Sequence, residues 1–201
     1  MFQQLVRIVV GVVIDLDVEG LENLPAHGPL IVVINHLADA DAVVGFAVSP
    51  WAPEAMAKAE LREIPIVGRL MDAYGVIWVQ PFSADRPALR TALDALAEGR
   101  VLALAPEGRE SQTGALEAGT GGAAFLALRS GAPVAPVALM GTERVYNRLK
   151  RLRRTRVSLR IGELFELEHT GDRRRDLSAG TEQIMQRVAA LLPPEYRGVY
   201  A

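Results

Sequence analysis

One of only three histidines, His36, stands in the run Ile34-Asn35-His36-Leu37-Ala38-Asp39-Ala40-Asp41, directly after the aliphatic segment Leu30 to Ile34. A continuous β-branched run bounded by Gly28-Pro29 and Asn35 reads as a strand buried on both faces. The C-terminal end of such a strand is the edge where open α/β sheets bind ligands. Two carboxylates follow His36, three and five positions on. If a helix starts near Asp39, the chain reverses there and either acid can turn back to the imidazole. A carboxylate on one ring nitrogen sets the tautomer and supports positive charge, leaving the other nitrogen to take a proton from a hydroxyl. The same residues also suit a surface histidine beside a helix cap, with Asp39 satisfying the first-turn amides. A metal site is not expected, because one His and two Asp lack a further ligand nearby.

A second polar segment, Leu104-Ala105-Pro106-Glu107-Gly108-Arg109-Glu110-Ser111, follows the apolar run that starts at Val101. If the two strands are parallel, it lies on the same sheet edge. Gly108 lets a backbone approach closely, and Arg109 offers a fork of donors for phosphate. An ordinary Pro-Gly turn with solvated charges fits this segment as well.

The elements that must position these residues alternate. Ile14 to Glu19 alternates apolar and acidic residues, as a half-buried edge strand does. Further strands are expected at Val76–Val79, Val101–Ala105, Val134–Leu139 and Thr155–Ile161. Helices are expected at Asp39–Val48, Ile64–Tyr74, Arg86–Glu98, Thr120–Arg129 and Thr181–Leu192. Strands alternating with helices predict an α/β fold with a central, mostly parallel sheet flanked by helices. At 201 residues, half of them apolar and with no linker-like stretch, the chain reads as one domain, 1–201. It has no cysteine, which excludes a disulfide scaffold, a thiol nucleophile and a thiolate metal site, and fits a reducing compartment.

Taken together, His-x-x-x-x-Asp (His36 to Asp41) and the Pro-Glu-Gly about seventy residues later resemble the glycerophospholipid acyltransferase family, typified by 1-acylglycerol-3-phosphate O-acyltransferases. Supporting segments match in order. Lys58-Ala59-Glu60-Leu61 with Ile64-Pro65-Ile66-Val67-Gly68 is similar to the Lys-x-Glu-Leu and Pro-x-x-Gly segment. Gly75 to Val79 is similar to the second block, and Gly131 to Ala138 to the Val-Pro strand of the fourth. The resemblance implies His36 as general base and Asp41 as its orienting partner, with Asp39 a cap or an outlying acid. It places Glu107 and Gly108 in the acceptor-binding loop. The implied reaction moves a fatty acyl group from a thioester, acyl-CoA or acyl-acyl carrier protein, to the hydroxyl of a lysophospholipid-like, phosphate-bearing alcohol. It needs no resident cofactor and no covalent acyl-enzyme. Hydrolysis of a thioester or lipid ester by the same dyad, and a non-catalytic lipid-binding role, are the competing readings.

The chain departs from the family pattern at several positions. Gln80 is followed by Pro81 where an Arg is usual, Arg109 falls on the Thr position of the third block, and Glu110 falls on its Arg position. Ala118 and Gly119 stand where a basic residue often precedes the next helix. Arg109, Lys58 and Arg86 are the candidates to replace the missing cations.

A formal charge of −2 conceals a basic segment on an acidic body. Arg144 to Arg160 holds eight basic residues and no acid, within a candidate lipid-facing segment, 142–160. Its only aromatic is Tyr146, too little for nucleic-acid stacking, so no nucleic-acid partner is expected. An anionic membrane surface is the expected partner, with the phosphates of coenzyme A or the acyl donor as the other ligand for these cations, although a solvated loop and strand face fits equally. Leu5 to Ile14 is too short for a spanning helix, which needs about 20 residues. Residues 1–14 suit either a buried helix or one lying on the bilayer surface. The resulting expectation is a cytoplasmic protein peripheral to the membrane.

Overall fold

The computed structural model describes residues 2–80 and 85–201. Its centre is a seven-stranded sheet: β1 (Ile14–Glu19), β2 (Leu30–Ile34), β3 (Glu54–Lys58), β4 (Ile77–Val79), β5 (Val101–Leu104), β6 (Val134–Met140) and β7 (Thr155–Ile161), in the spatial order β1-β7-β6-β2-β5-β3-β4. Strands β6, β2, β5, β3 and β4 are mutually parallel. β7 runs antiparallel to β6 and carries β1 parallel to itself. The expected mostly parallel α/β sheet is therefore what the chain forms.

Seven α-helices flank it: α1 (Phe2–Val13), α2 (Ala40–Val48), α3 (Pro65–Tyr74), α4 (Arg86–Ala97), α5 (Gly121–Ser130), α6 (Val145–Leu149) and α7 (Arg173–Leu191). One apolar core joins α4, α5 and α7 to one sheet face through Leu102, Leu126, Ile184 and Met185. On the other face α1 and α2 meet Val137, Leu139, Val157 and Leu159. β2 lies between β6 and β5, so Leu30, Ile31 and Val33 are buried, as its unbroken apolar run requires. β1 is an edge strand whose Asp15, Asp17 and Glu19 all point to solvent.

Several elements differ from expectation. β3 was not foreseen, because Glu-Ala-Met-Ala-Lys is poor in β-formers and its residues are only half-buried. The pairing partners β5 and β4 impose the strand. α7 begins eight residues earlier than the expected Thr181, at Arg173. The Asp172 side chain accepts from the Arg174 and Arg175 amides, so Arg173 to Arg175 form its first turn rather than a flank. Gly180 does not break this helix. A Cβ there would stand 2.8 Å from Leu167 Cδ1, and the missing side chain lets the Leu167 segment pack close. The short helix α6 inside the basic segment was also unforeseen.

The C-terminal tail docks on the body. Leu116 N donates to Tyr196 O, Val199 N to Leu116 O, and the Tyr200 hydroxyl accepts from Gly119 N. Among the described residues no helix is long and apolar enough to cross a membrane.

Gly141 joins the end of β6 to the turn beyond it, at φ 91°, and a Cβ there would stand 2.5 Å from the Arg156 carbonyl oxygen. Gly141→Ala is expected to lower stability by more than about 1 kcal/mol, from the left-handed backbone and the backbone clash together. Urea unfolding checks this; an unchanged midpoint would contradict the close approach.

Candidate active site

The site begins where β2 ends. Asn35 is 1% exposed, and its side-chain amide replaces the ladder that the backbone abandons. Nδ2 donates to Leu139 O at 2.9 Å, and Oδ1 accepts from Leu139 N at 2.7 Å. The backbone can then turn out of the sheet at His36 without orphaning its neighbour on β6.

Asp41, the second residue of α2, reaches back into this turn. Its Oδ2 accepts from Leu37 N (2.6 Å), Ala38 N (2.8 Å) and His36 Nδ1 (2.9 Å). The residue is 3% exposed, and its Oδ1 is buried without a partner among the described residues. An ionised carboxylate only accepts, so Nδ1 carries the proton and Nε2 holds the lone pair. The His36 side chain is 27% exposed, and Nε2 has no hydrogen-bond partner among the described residues. The spacing from His36 to Asp41 is thus resolved in favour of the dyad. Asp39 does not cap the helix as the alternative supposed, since its side chain makes no capping bond and its backbone is already helical.

The second polar segment is stitched to the first. Glu107 is 3% exposed; its Oε1 accepts from His36 N at 3.0 Å and its Oε2 from Glu117 N at 2.8 Å. Ser111 N donates to His36 O at 2.7 Å. Both oxygens of Glu107 are therefore committed to holding loops together. Gly108 adopts φ 72° and its N–H turns back onto Ala105 O. Because the amides of His36, Leu37, Ala38, Gly108 and Ser111 all serve internal acceptors, an oxyanion on the substrate needs other donors.

Arg109 forms an ion pair with Glu117, whose Oε1 also accepts from Gln112 N at 2.7 Å. Lys58 closes β3 and Arg86 opens α4 after β4, so both lie on the sheet edge that carries His36. Among the described residues neither forms an ion pair, and neither bonds to the dyad. Pro81 lies outside the described residues. Of the other histidines, His27 is exposed, and the His169 Nε2 bonds to Leu128 O at 2.8 Å, with Asp176 3.7 Å from its Nδ1.

Electrostatics raise the basicity of the ring. Burial opposes charge on His36, but the Asp41 hydrogen bond and charge, followed by Glu110 and Asp39, outweigh it and raise the pKa above 6.5. The influence of Glu110 was missed in the sequence, where it registers only as a departure. Burial pushes the Glu107 carboxyl up, and the Glu117 and His36 amides pull it part of the way back.

Residues 15–140 match the family model described as Acyltransferase, and the chain belongs to that family. It is 29% identical over 132 residues to a chloroplast 1-acyl-sn-glycerol-3-phosphate acyltransferase of Brassica napus, covering 64% of this chain and 38% of that one. A 1-acyl-sn-glycerol-3-phosphate acyltransferase of Borreliella burgdorferi is also 29% identical, over 66% of this chain and 54% of its own length. The chain thus spans between a third and a little over half of these relatives. The crystal structure of the 1-acyl-sn-glycerophosphate acyltransferase PlsC from Thermotoga maritima superposes with a TM-score of 0.71 at 25% identity, covering 94% of this chain and 79% of that one.

Two outcomes follow from the geometry. In an NMR titration, His36 is expected to titrate above 6.5, and Asp41→Asn should bring it down. The raised pKa adds stability that is fully present below 6.5 and is lost as pH rises through the folded value. The stability gap between wild type and Asp41→Asn should therefore narrow with rising pH, leaving a residue from the Leu37 and Ala38 amides. Glu107→Gln keeps only one carbonyl oxygen for two buried amides, and is expected to cost about 1–3 kcal/mol in urea unfolding.

Proposed function

We propose that this protein transfers a fatty acyl group from an acyl thioester to the hydroxyl of a lysophospholipid or related phosphate-bearing alcohol. The observation that carries this reading is the His36 Nδ1–Asp41 Oδ2 contact of 2.9 Å, with Nε2 open. Nε2 takes the acceptor hydroxyl's proton as the oxygen attacks the thioester carbonyl. The tetrahedral oxyanion collapses, the C–S bond breaks, and the imidazolium returns the proton to the departing thiolate. The products are an ester and a free thiol. Asp41 stabilises the imidazolium in the interval and keeps Nε2 aimed outward. The donor is acyl-CoA or acyl-acyl carrier protein, and no resident cofactor takes part.

The names of the relatives favour a 1-acylglycerol-3-phosphate acceptor. Arg109 is neutralised by Glu117, so Lys58 and Arg86 are the cations left to meet the acceptor phosphate. Gly108 allows the backbone of the second loop to come close to it. The enzyme works peripherally at the cytoplasmic membrane surface. The outward stripe of α1 (Leu5, Ile8, Val9, Val12) supports that placement, as does its opposite face, packed on α2.

The test incubates labelled acyl-CoA with detergent-dispersed lysophosphatidate and identifies the product by mass spectrometry. Labelled phosphatidate should form, and His36→Ala should lower turnover by about 10²–10⁴ while the protein stays folded. Acyl release that ignores added acceptor would establish a hydrolase instead.

A further inference from the structure

β7 and β1 run opposite to β6, so β7 begins, and α1 ends, at the edge where β2 and β6 end. That is the edge carrying His36. Residues 142–154, including α6, cross the same edge. The crossing segment is fastened to α1: Arg154 Nη2 donates to Gly11 O at 3.0 Å and Ile14 O at 2.7 Å, and Arg148 Nε donates to Arg154 O at 2.9 Å. A cation on the last carbonyls of a helix is favourable. Here it also joins two exposed surfaces.

On α1 the outward stripe includes Ile8 at 65% and Val12 at 68% exposure. On the crossing segment Leu152 is 93% exposed, with Leu149 and Tyr146 exposed on α6 before it. Leu152 holds φ 52°, a conformation that costs a leucine free energy. The Leu152 N→Leu149 O and Arg153 N→Arg148 O bonds close the turn that presents it. Flanking this tip in sequence are Arg148, Lys150, Arg151, Arg153 and Arg156, with no acid between Arg144 and Arg160. Among the described residues Arg151 and Arg153 form no ion pair.

We propose that the loop 150–154 is a second membrane anchor, with Leu152 entering the acyl boundary of an anionic bilayer and the flanking cations meeting its phosphates, while Arg154 locks it to the α1 stripe as one docking face. The inference rests on the reading of a bilayer-surface enzyme. Apolar side chains ringed by cations match anionic lipid in both charge and polarity. A protruding tip needs no complementary pocket in its partner. Its place on the catalytic edge turns His36 toward the lipid that supplies the acceptor.

The experiment measures co-flotation with phosphatidylcholine vesicles with and without phosphatidylglycerol, for wild type, Leu152→Asp and the double variant Arg151→Gln/Arg153→Gln. Thermal midpoints serve as the fold check. Wild type should prefer the anionic vesicles and lose that preference at high salt. Each variant should bind them about tenfold or more weakly, at an unchanged midpoint. Variants that bind as wild type overturn the loop anchor and leave attachment through α1 standing. Wild type that binds neither vesicle overturns the peripheral reading along with it. Binding to poly-glutamate in place of vesicles overturns it in favour of an acidic protein partner. The acyl-transfer assay in detergent is independent of all these outcomes.

Discussion

Three N–H groups converge on one oxygen of Asp41, and the candidate site depends on that convergence. Two of the donors are amides of the turn that leaves β2, and the third is the His36 ring. One carboxylate thus shapes the loop, sets the tautomer and makes the ring more basic. Because the oxygen is buried, these bonds are not exchanged for water, and the charge acts on the imidazole at low effective dielectric.

The surrounding structure serves the same point. Asn35 completes the sheet behind the turn, so the chain can leave β2 without a stranded amide on β6. Glu107 ties the His36 amide to the segment after β5, and that segment is held in turn by the tail through Leu116 and Gly119. Burial of Glu107 is tolerable because both oxygens accept amide hydrogens. The Pro-Glu-Gly segment therefore supports the His36–Asp41 pair. Arg109, a candidate phosphate ligand by sequence, is occupied by Glu117.

Legibility followed burial and periodicity. The apolar runs of β2, β5 and β6, the alternation of β7, and helices such as α3 and α4 with clear starts and stops, were readable because hydrophobic patterning reports directly on core contact. β3 was not, since Ala, Glu and Lys carry no strand signal and its pairing is imposed by neighbours far away in sequence. The start of α7 was hidden by three arginines, although Asp172 was available as its cap. The pairing of Arg109 with Glu117 could not be read, because an eight-residue separation within a loop has no fixed geometry.

The sequence by itself determined the alternation of strands and helices, the chemistry available between His36 and Asp41, and the concentration of cations between Arg144 and Arg160. These are local properties, written in residue type and spacing. Tertiary structure decided which carboxylate meets the ring, which amides are spent on internal bonds, and which cation is neutralised. It also decided that the basic segment starts from the sheet edge that carries His36 and is pinned to α1, a consequence of β7 running against β6. Strand direction is a property of the assembled sheet, because it is selected by pairing between segments that no local spacing brings together.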